Sequence, residues 1–397
     1  MPSILQPVDP NERFKMRRRQ RRREIRRRRL VAAGCMVALI GAGVVGAVLA
    51  THIHGHSGGT PVAAKAPPPK PTRLEPRPYP NEVRGVHVTM ALASIPGKLD
   101  QYIALKAQGL NTIELDVKDE NGEIAFSPRL PLADRVGAAK RYYDPRAVAT
   151  KIHAAGIYLI GRVVTFEDPI LSAGWPALAV MRADGSRWLN NGGLGWTNPY
   201  DKRVWRYNVG VAEAAAKAGF DEIQFDYVRF PSDGDISQIR YPGVHAQPMG
   251  WTVPMFAKYA AEHLHPLGVR VSTDVFGLSA TRDLGIGQFP GRLAHYVDAI
   301  YPMVYPSHYG SGEYNIIDPD SRPGTTVAYS LRDFREKVQG RARLIPWLQD
   351  FSLGRQYSLA DVRDEIQAAR LEHSKGFMLW NAGGVYTDGA LATPSFR

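Results

Sequence analysis

The sequence predicts an α/β chain: a (β/α)8 barrel over residues 83–397, preceded by a single transmembrane helix and a Pro-rich linker. Three observations carry this. Strand-like and helix-like segments alternate from Val83 onward. A lone glycine repeatedly separates the end of an amphipathic helix from the next strand. Turns from helix into strand are short, whereas those from strand into helix run long, over 118–143, 165–197, 229–250 and 306–329. Long loops gathered at the C-terminal ends of strands mark the working face of such a barrel.

The N-terminal elements come first. The chain has 397 residues and a formal net charge of +12. Within residues 1–29, 11 Arg and Lys15 stand against Asp9, Glu12 and Glu24, nine of those twelve net charges. The basic character is therefore a tail. No folded nucleic-acid-binding motif accompanies it, so no nucleic-acid partner is expected. Residues 30–50 hold no charged side chain, and a bilayer core about 30 Å thick needs roughly 20 apolar residues as a helix. The basic flank should stay cytoplasmic. This predicts a single-pass anchor in the cell membrane, touching lipid through residues 30–50, with the barrel outside the cytoplasm. Cleavage near Ala50, which would release a secreted protein, is the alternative. Residues 51–82, with Pro61, Pro67, Pro68, Pro69, Pro71, Pro76, Pro78 and Pro80, read as an extended spacer. Cys35 is the sole cysteine, which excludes an internal disulfide. The 44% hydrophobic and 22% charged composition excludes wholesale disorder.

The barrel elements follow in order. Residues 83–89 read as the first strand. Leu99, Tyr102, Ile103 and Ala107 form an apolar stripe that Gly109 ends, and 111–117 alternate as the second strand. Asp144-Pro145 opens a helix as N-cap and first-turn residue, Gly156 closes it, and 157–164 is the third strand. Asn198-Pro199 opens another, with Trp205, Val209, Ala212 and Ala216 on one face. Gly219 ends it and 221–228 follow as the fourth strand. Gly268 precedes the fifth, 269–275, and 298–304, 343–349 and 376–380 complete eight. An open doubly wound sheet is the competing fold, but no Gly-rich phosphate turn follows the first strand.

Side chains alternate faces along a strand. With Ile113, Leu115 and Val117 packed on helices, Glu114, Asp116 and Lys118 point into the barrel. The same alternation sends His87, Arg162, Gln224, Asp226, Asp274, Tyr301, Trp347, Gln349 and Trp380 inward. Arg229 and Tyr305 lie just past the fourth and sixth strands. Buried carboxylates are costly unless paired, so this set either pairs internally, as Asp226 with Arg162 or Arg229, or serves a ligand. Carboxylates, amides and flat rings together suit a sugar: rings cover its C–H faces and polar groups bind its hydroxyls. No metal or cofactor is predicted, because His87, His245 and His308 lack ligand spacing and Asp233-Gly234-Asp235 reads as a turn.

Four stretches carry a resemblance: Gly219-Phe-Asp-Glu-Ile-Gln-Phe-Asp-Tyr-Val-Arg-Phe-Pro-Ser-Asp-Gly234, Asn111-Thr-Ile-Glu-Leu-Asp-Val-Lys-Asp119, Ser272-Thr-Asp-Val-Phe-Gly277 and Asp298-Ala-Ile-Tyr-Pro-Met-Val-Tyr-Pro-Ser-His-Tyr309. In this order they resemble a bacterial family of TIM-barrel glycoside hydrolases, long classed as a domain of unknown function and assigned to glycosidases by similarity. The likeness spans about residues 83–386. More distantly, Gly219-Phe220 and Phe225-Asp226 look like the fourth-strand motif of alpha-amylase-like enzymes, whose Asp is the nucleophile. Their acid lies on strand five, where it is usually Glu and here is Asp274.

Glycoside hydrolysis commonly uses two carboxyl groups flanking the scissile bond. The resemblance thus implies Asp226 as nucleophile or charge stabiliser and Asp274 as general acid, with Asp116 or Glu114 as the other candidates for acid. Glu114, Asp116, Lys118, Arg162, Gln224, Arg229, Tyr301, Tyr305, Trp347, Gln349 and Trp380 are expected to bind substrate. The expectation is a membrane-tethered hydrolase of an extracellular or envelope polysaccharide. The alternative is a non-catalytic carbohydrate-binding barrel.

Overall fold

The computed structural model describes residues 75–245, 247–392 and 394. The expected Arg-rich tail at 1–29, the span at 30–50 and the spacer as far as residue 74 lie outside the described residues. Among the described residues, no helix is long and apolar enough to cross a membrane.

Among the described residues, eight parallel staves close into a barrel. They are β1 (Val83–Val88), β2 (Thr112–Lys118), β3 (Tyr158–Val164), β4 (Glu222–Asp226), β5 (Arg270–Phe276), β6 (Ala299–Met303), β7 and β8 (Gly376–Trp380). β1 pairs with β2 on one side and β8 on the other, and pairing of β5 with β6 completes the ring. β7, expected as one run, comes in two pieces, Arg343–Leu344 and Trp347–Gln349. Pro346 lies in the gap and has no N–H to give the ladder, though its carbonyl still accepts from Met378 N. Strands such as β2 and β3 are buried at every position, as parallel staves covered on both faces must be.

The principal helices are α1 (Lys98–Ala104), α2 (Pro145–Ala154), α3 (Lys202–Ala218), α4 (Met249–Leu264), α5 (Pro323–Val338) and α6 (Leu359–Leu371). Asp144 caps α2, accepting from Arg146 N and Ala147 N as its sequence position predicted. At α3 the cap is Asp201, and the expected Asn198-Pro199 start forms a preceding turn in which Asn198 Oδ1 accepts from Tyr200 N. Asp201 wins because its carboxylate can reach Arg203 N at the first turn. Gly109, Gly156, Gly219 and Gly268 all take left-handed φ, between 70° and 110°, which lets each helix stop and the chain re-enter the sheet.

Two local features depart from the alternation read in the sequence. β2 carries a bulge: Asp116 pairs with Arg162, but the next partnered residue, Lys118, pairs with Val163. An extra residue on one strand inverts side-chain parity beyond it. Lys118 therefore turns away from the barrel interior. The second departure is at the floor. Residues 75–82, read as spacer, pack under the staves: Arg77 pairs with Asp221 at 3.2 Å, and the Tyr79 ring lies between the guanidinium groups of Arg270 (4.4 Å) and Arg343 (4.3 Å). Tyr79 also meets Tyr158 with ring centroids 5.3 Å apart.

Candidate active site

The C-terminal ends of the staves bring three carboxylates together around one guanidinium. Arg162, on β3, donates from Nη1 to Asp116 Oδ1 at 2.8 Å. It donates from Nε and Nη2 to Asp226 Oδ2 at 3.0 and 2.6 Å. It also stands 3.7 Å from Glu120 Oε2. Register explains the convergence: β3 lies between β2 and β4, with Asp116 level with Arg162 and Val164 level with Asp226. A planar fork with several donors bridges two carboxylates, which a lysine ammonium does poorly. β4 ends at Asp226, and Tyr227 follows with φ of 48°. That left-handed turn, uncommon for a bulky residue, aims Tyr227 N back at Asp226 Oδ1 at 2.6 Å. Both oxygens of Asp226 are thereby oriented, and its carboxylate keeps some contact with solvent.

Asp274, on β5, has different surroundings. Its Oδ1 accepts from Gln224 Nε2 at 2.5 Å and from Trp347 Nε1 at 2.7 Å, with no guanidinium in hydrogen-bond contact. Gln288 Nε2 donates to its backbone carbonyl at 3.0 Å. Burial, with Asp226 and Glu114 close by, holds the Asp274 carboxyl well above the ordinary carboxylate range. Phe225 and Thr273 are level on β4 and β5, so Asp226 and Asp274 each stand one residue further, on neighbouring staves. One carboxylate is locked in an ion pair, and the other is buried with its proton affinity raised.

Glu114 is the third buried acid. Its Oε2 lies 2.5 Å from His87 Nδ1, its level partner on β1. Burial, reinforced by Asp116 and Asp226, raises the Glu114 carboxyl well above its ordinary value. Burial also lowers His87 to about 4. His87 Nε2 faces Asp116 Oδ1 at 3.7 Å. The His87 ring lies tilted against Trp380 at 4.5 Å between centroids, and Trp347 meets Trp380 edge-on at 5.7 Å. Trp380 is partly exposed, with the Arg162 guanidinium 5.7 Å from its ring centroid. Tyr305 is buried beside Asp274, Asp226 and Glu114, and burial plus those charges push its hydroxyl well above the usual tyrosine range.

Other sequence candidates take different places. Lys118, expected to face substrate, is fully buried behind the sheet, pairing with Asp168 Oδ2 at 2.9 Å and donating to Val164 O and Asn208 Oδ1. The β2 bulge is the reason. Tyr301, in register with Asp274, points inward and leans to the floor beside Glu222, Tyr79 and Tyr158, because parity fixes the face of a residue and not where its side chain ends along the barrel. Gln349 ties two loops, accepting from Ser307 N and Oγ and donating to Phe351 O. Arg229 is enclosed by the rings of Trp196, Tyr227 and Phe276 at 4.9, 5.1 and 4.7 Å, and donates to Phe230 O. Trp347 hydrogen-bonds the acid, where a stacking role was expected. His87 was read as inward but not as a site residue; its level pairing with a glutamate was the available signal.

A closed parallel barrel with acids, an arginine and indole rings at its C-terminal rim is of the glycoside hydrolase type. The chain belongs to the family described as "Putative glycosyl hydrolase domain", which matches residues 85–386. No curated protein matches the chain. Among solved structures, it is similar to the PgaB (BpsB) glycoside hydrolase domain from Bordetella bronchiseptica. That match has 16% identity and a TM-score of 0.56, covering 77% of this chain and 95% of that one. It is also similar to the chitobiase of Flavobacterium johnsoniae, at 10% identity and a TM-score of 0.50, over 78% of this chain and 47% of that one. A hypothetical protein from Ruminiclostridium thermocellum is 34% identical over 48% of this chain and 97% of that one, with a TM-score of 0.44. The first two likenesses establish the fold.

Proposed function

We propose that the protein cleaves glycosidic bonds in an extracellular or cell-envelope polysaccharide, with Asp226 and Asp274 as the catalytic pair. The observation that carries this is the contrast between two neighbouring carboxyl groups. Asp226 is ion-paired to Arg162, while Asp274 is buried with no guanidinium in hydrogen-bond contact among the described residues, and burial beside Asp226 and Glu114 raises its carboxyl well above the ordinary range. Environments that push two acids apart in this way assign their roles. Asp274 gives its proton to the leaving oxygen. Asp226 attacks the anomeric carbon or stabilises the developing oxocarbenium charge. A carbohydrate-binding barrel without catalysis would have no use for a buried acid of raised proton affinity held beside an ion-paired carboxylate.

Trp380 supplies a ring face for a sugar, and Tyr305 a hydroxyl near the reacting centre. The apolar run at 30–50 supports tethering at the outer side of a membrane.

The test is hydrolysis of a panel of cell-wall and capsular glycans by the wild type, Asp226→Asn and Asp274→Asn. Each substitution should lower kcat by about a thousandfold or more, the scale lost when a catalytic group of a concerted pair is removed. Turnover unchanged in Asp226→Asn would overturn the assignment.

A further inference from the structure

We propose that Gln224 is a positioning residue for the general acid: with Trp347 it holds Asp274 Oδ1 as an acceptor, so that Asp274 delivers its proton from Oδ2. This rests on the glycosidase reading and assigns the reacting atom within it. The sequence puts Gln224 among the residues expected to bind substrate. In the fold it lies lower. It is level with Ser272 on β5, one inward-facing step nearer the floor than Asp274, and it is fully buried. From there Nε2 donates to Asp274 Oδ1 at 2.5 Å. Trp347 Nε1 reaches the same oxygen from β7 at 2.7 Å. Asp274 Oδ2 has no hydrogen bond among the described residues. Asp226 differs: Arg162 holds its Oδ2 and Tyr227 N its Oδ1.

An indole N–H can only donate, so Trp347 marks Oδ1 as an acceptor. A carboxylic acid accepts at its carbonyl oxygen and donates from its hydroxyl. With two donors converging on Oδ1, the acid form of Asp274 carries its proton on Oδ2. In the reaction the Oδ2–H bond breaks as the proton passes to the leaving oxygen, and its electron pair stays on Asp274 as the carboxylate. Gln224 Oε1 is buried with no hydrogen-bond partner among the described residues. Turning the amide over would aim that oxygen at Oδ1. Both groups would then be satisfied only with the acid proton on Oδ1, on the oxygen the indole already occupies as a donor. A neutral donor also suits the role. A guanidinium in this place would supply a full charge and favour the carboxylate, whereas an amide orients the acid without one.

The experiment replaces the amide by apolar side chains, Gln224→Met and Gln224→Leu, and follows Asp274 directly. Carboxyl 13C NMR of the aspartate-labelled full chain gives its titration midpoint, the resonance being assigned by its loss in Asp274→Asn. On whichever glycan the wild type cleaves, kcat and KM are measured against pH. Losing a donor to the ionised form raises a carboxyl's pKa, and a hydrogen bond to a charged group corresponds to about one pH unit. The midpoint and the alkaline limb of kcat should both rise by about that much. Over the same change kcat should fall about ten- to a hundredfold, with KM within about twofold. A midpoint that moves down would place the acid proton on Oδ1, facing Gln224, and would overturn the proposal. A midpoint left in place would reduce Gln224 to packing and overturn it equally. If the wild type cleaves no glycan, the glycosidase reading falls and the catalytic half of this proposal with it, while the midpoint still reports which oxygen carries the proton.

Discussion

Trp347 Nε1 donates to Asp274 Oδ1 at 2.7 Å, across the barrel from β7 to β5. The bond favours the ionised form of a carboxyl whose proton affinity burial raises. Trp347→Phe removes the donor and keeps much of the ring. The Asp274 carboxyl should then rise further, and the alkaline limb of the kcat–pH profile should move to higher pH. A profile that keeps its limb in place while kcat falls would show that Trp347 only packs.

Arg162 is the shared partner of Asp116 and Asp226. Arg162→Met would leave two buried carboxylates without a counter-ion, and breaking such a pair costs about 3–5 kcal/mol. Urea unfolding should show that loss. Arg162→Lys should recover part of the stability but little of kcat, because a point charge cannot hold both acids in place.

Lys118 and Asp168 give the opposite pattern. Lys118→Met strands Asp168 and should destabilise by about 3–5 kcal/mol in denaturant unfolding, while kcat/KM of the folded fraction stays within about twofold, since the ammonium faces away from the mouth. Adding Asp168→Asn should return much of the lost stability, because the amide oxygen can still cap Leu171 N. A large fall in kcat/KM with stability unchanged would return Lys118 to the substrate side.

His87 links stability to pH. Its folded-state value of about 4 lies below the ordinary 6.5. The unfolded chain therefore binds the extra proton first as pH falls, and this residue's contribution is full above about 6.5 and is lost between about 6.5 and 4. His87→Gln should flatten the fall in melting temperature across that window. An unaltered slope would mean that other groups govern acid unfolding.

Tyr79 tests the floor. Tyr79→Ala removes a ring held between Arg270 and Arg343 and should cost about 1–3 kcal/mol, less than a fully buried aromatic. A version of the chain starting at Val83 should lose at least as much. Melting of both, set against a chain starting at Glu75, gives the measurement.

The barrel was legible because its signals were local: glycine-stopped helices, alternating strands and asymmetric loop lengths each reflect backbone rules within a few residues. Asp226, Asp274, Glu114, Asp116 and Arg162 were found by parity and do converge. What parity leaves out is height and register. Tyr301 faces inward but its side chain leans to the floor. Trp347 serves the acid through a hydrogen bond that depends on which side chains share a level. His87 matters because it is level with Glu114, a pairing between segments 27 residues apart. The α3 cap moved from Asn198 to Asp201 because several residues there are competent caps and tertiary packing chose among them.

The bulge in β2 decides on which side of the sheet an ammonium lies. By absorbing Val117 it sets Lys118 opposite Val163, on the helix layer, where it steadies Asp168 at the back of the barrel; strict alternation from Asp116 would have turned the same side chain into the cavity.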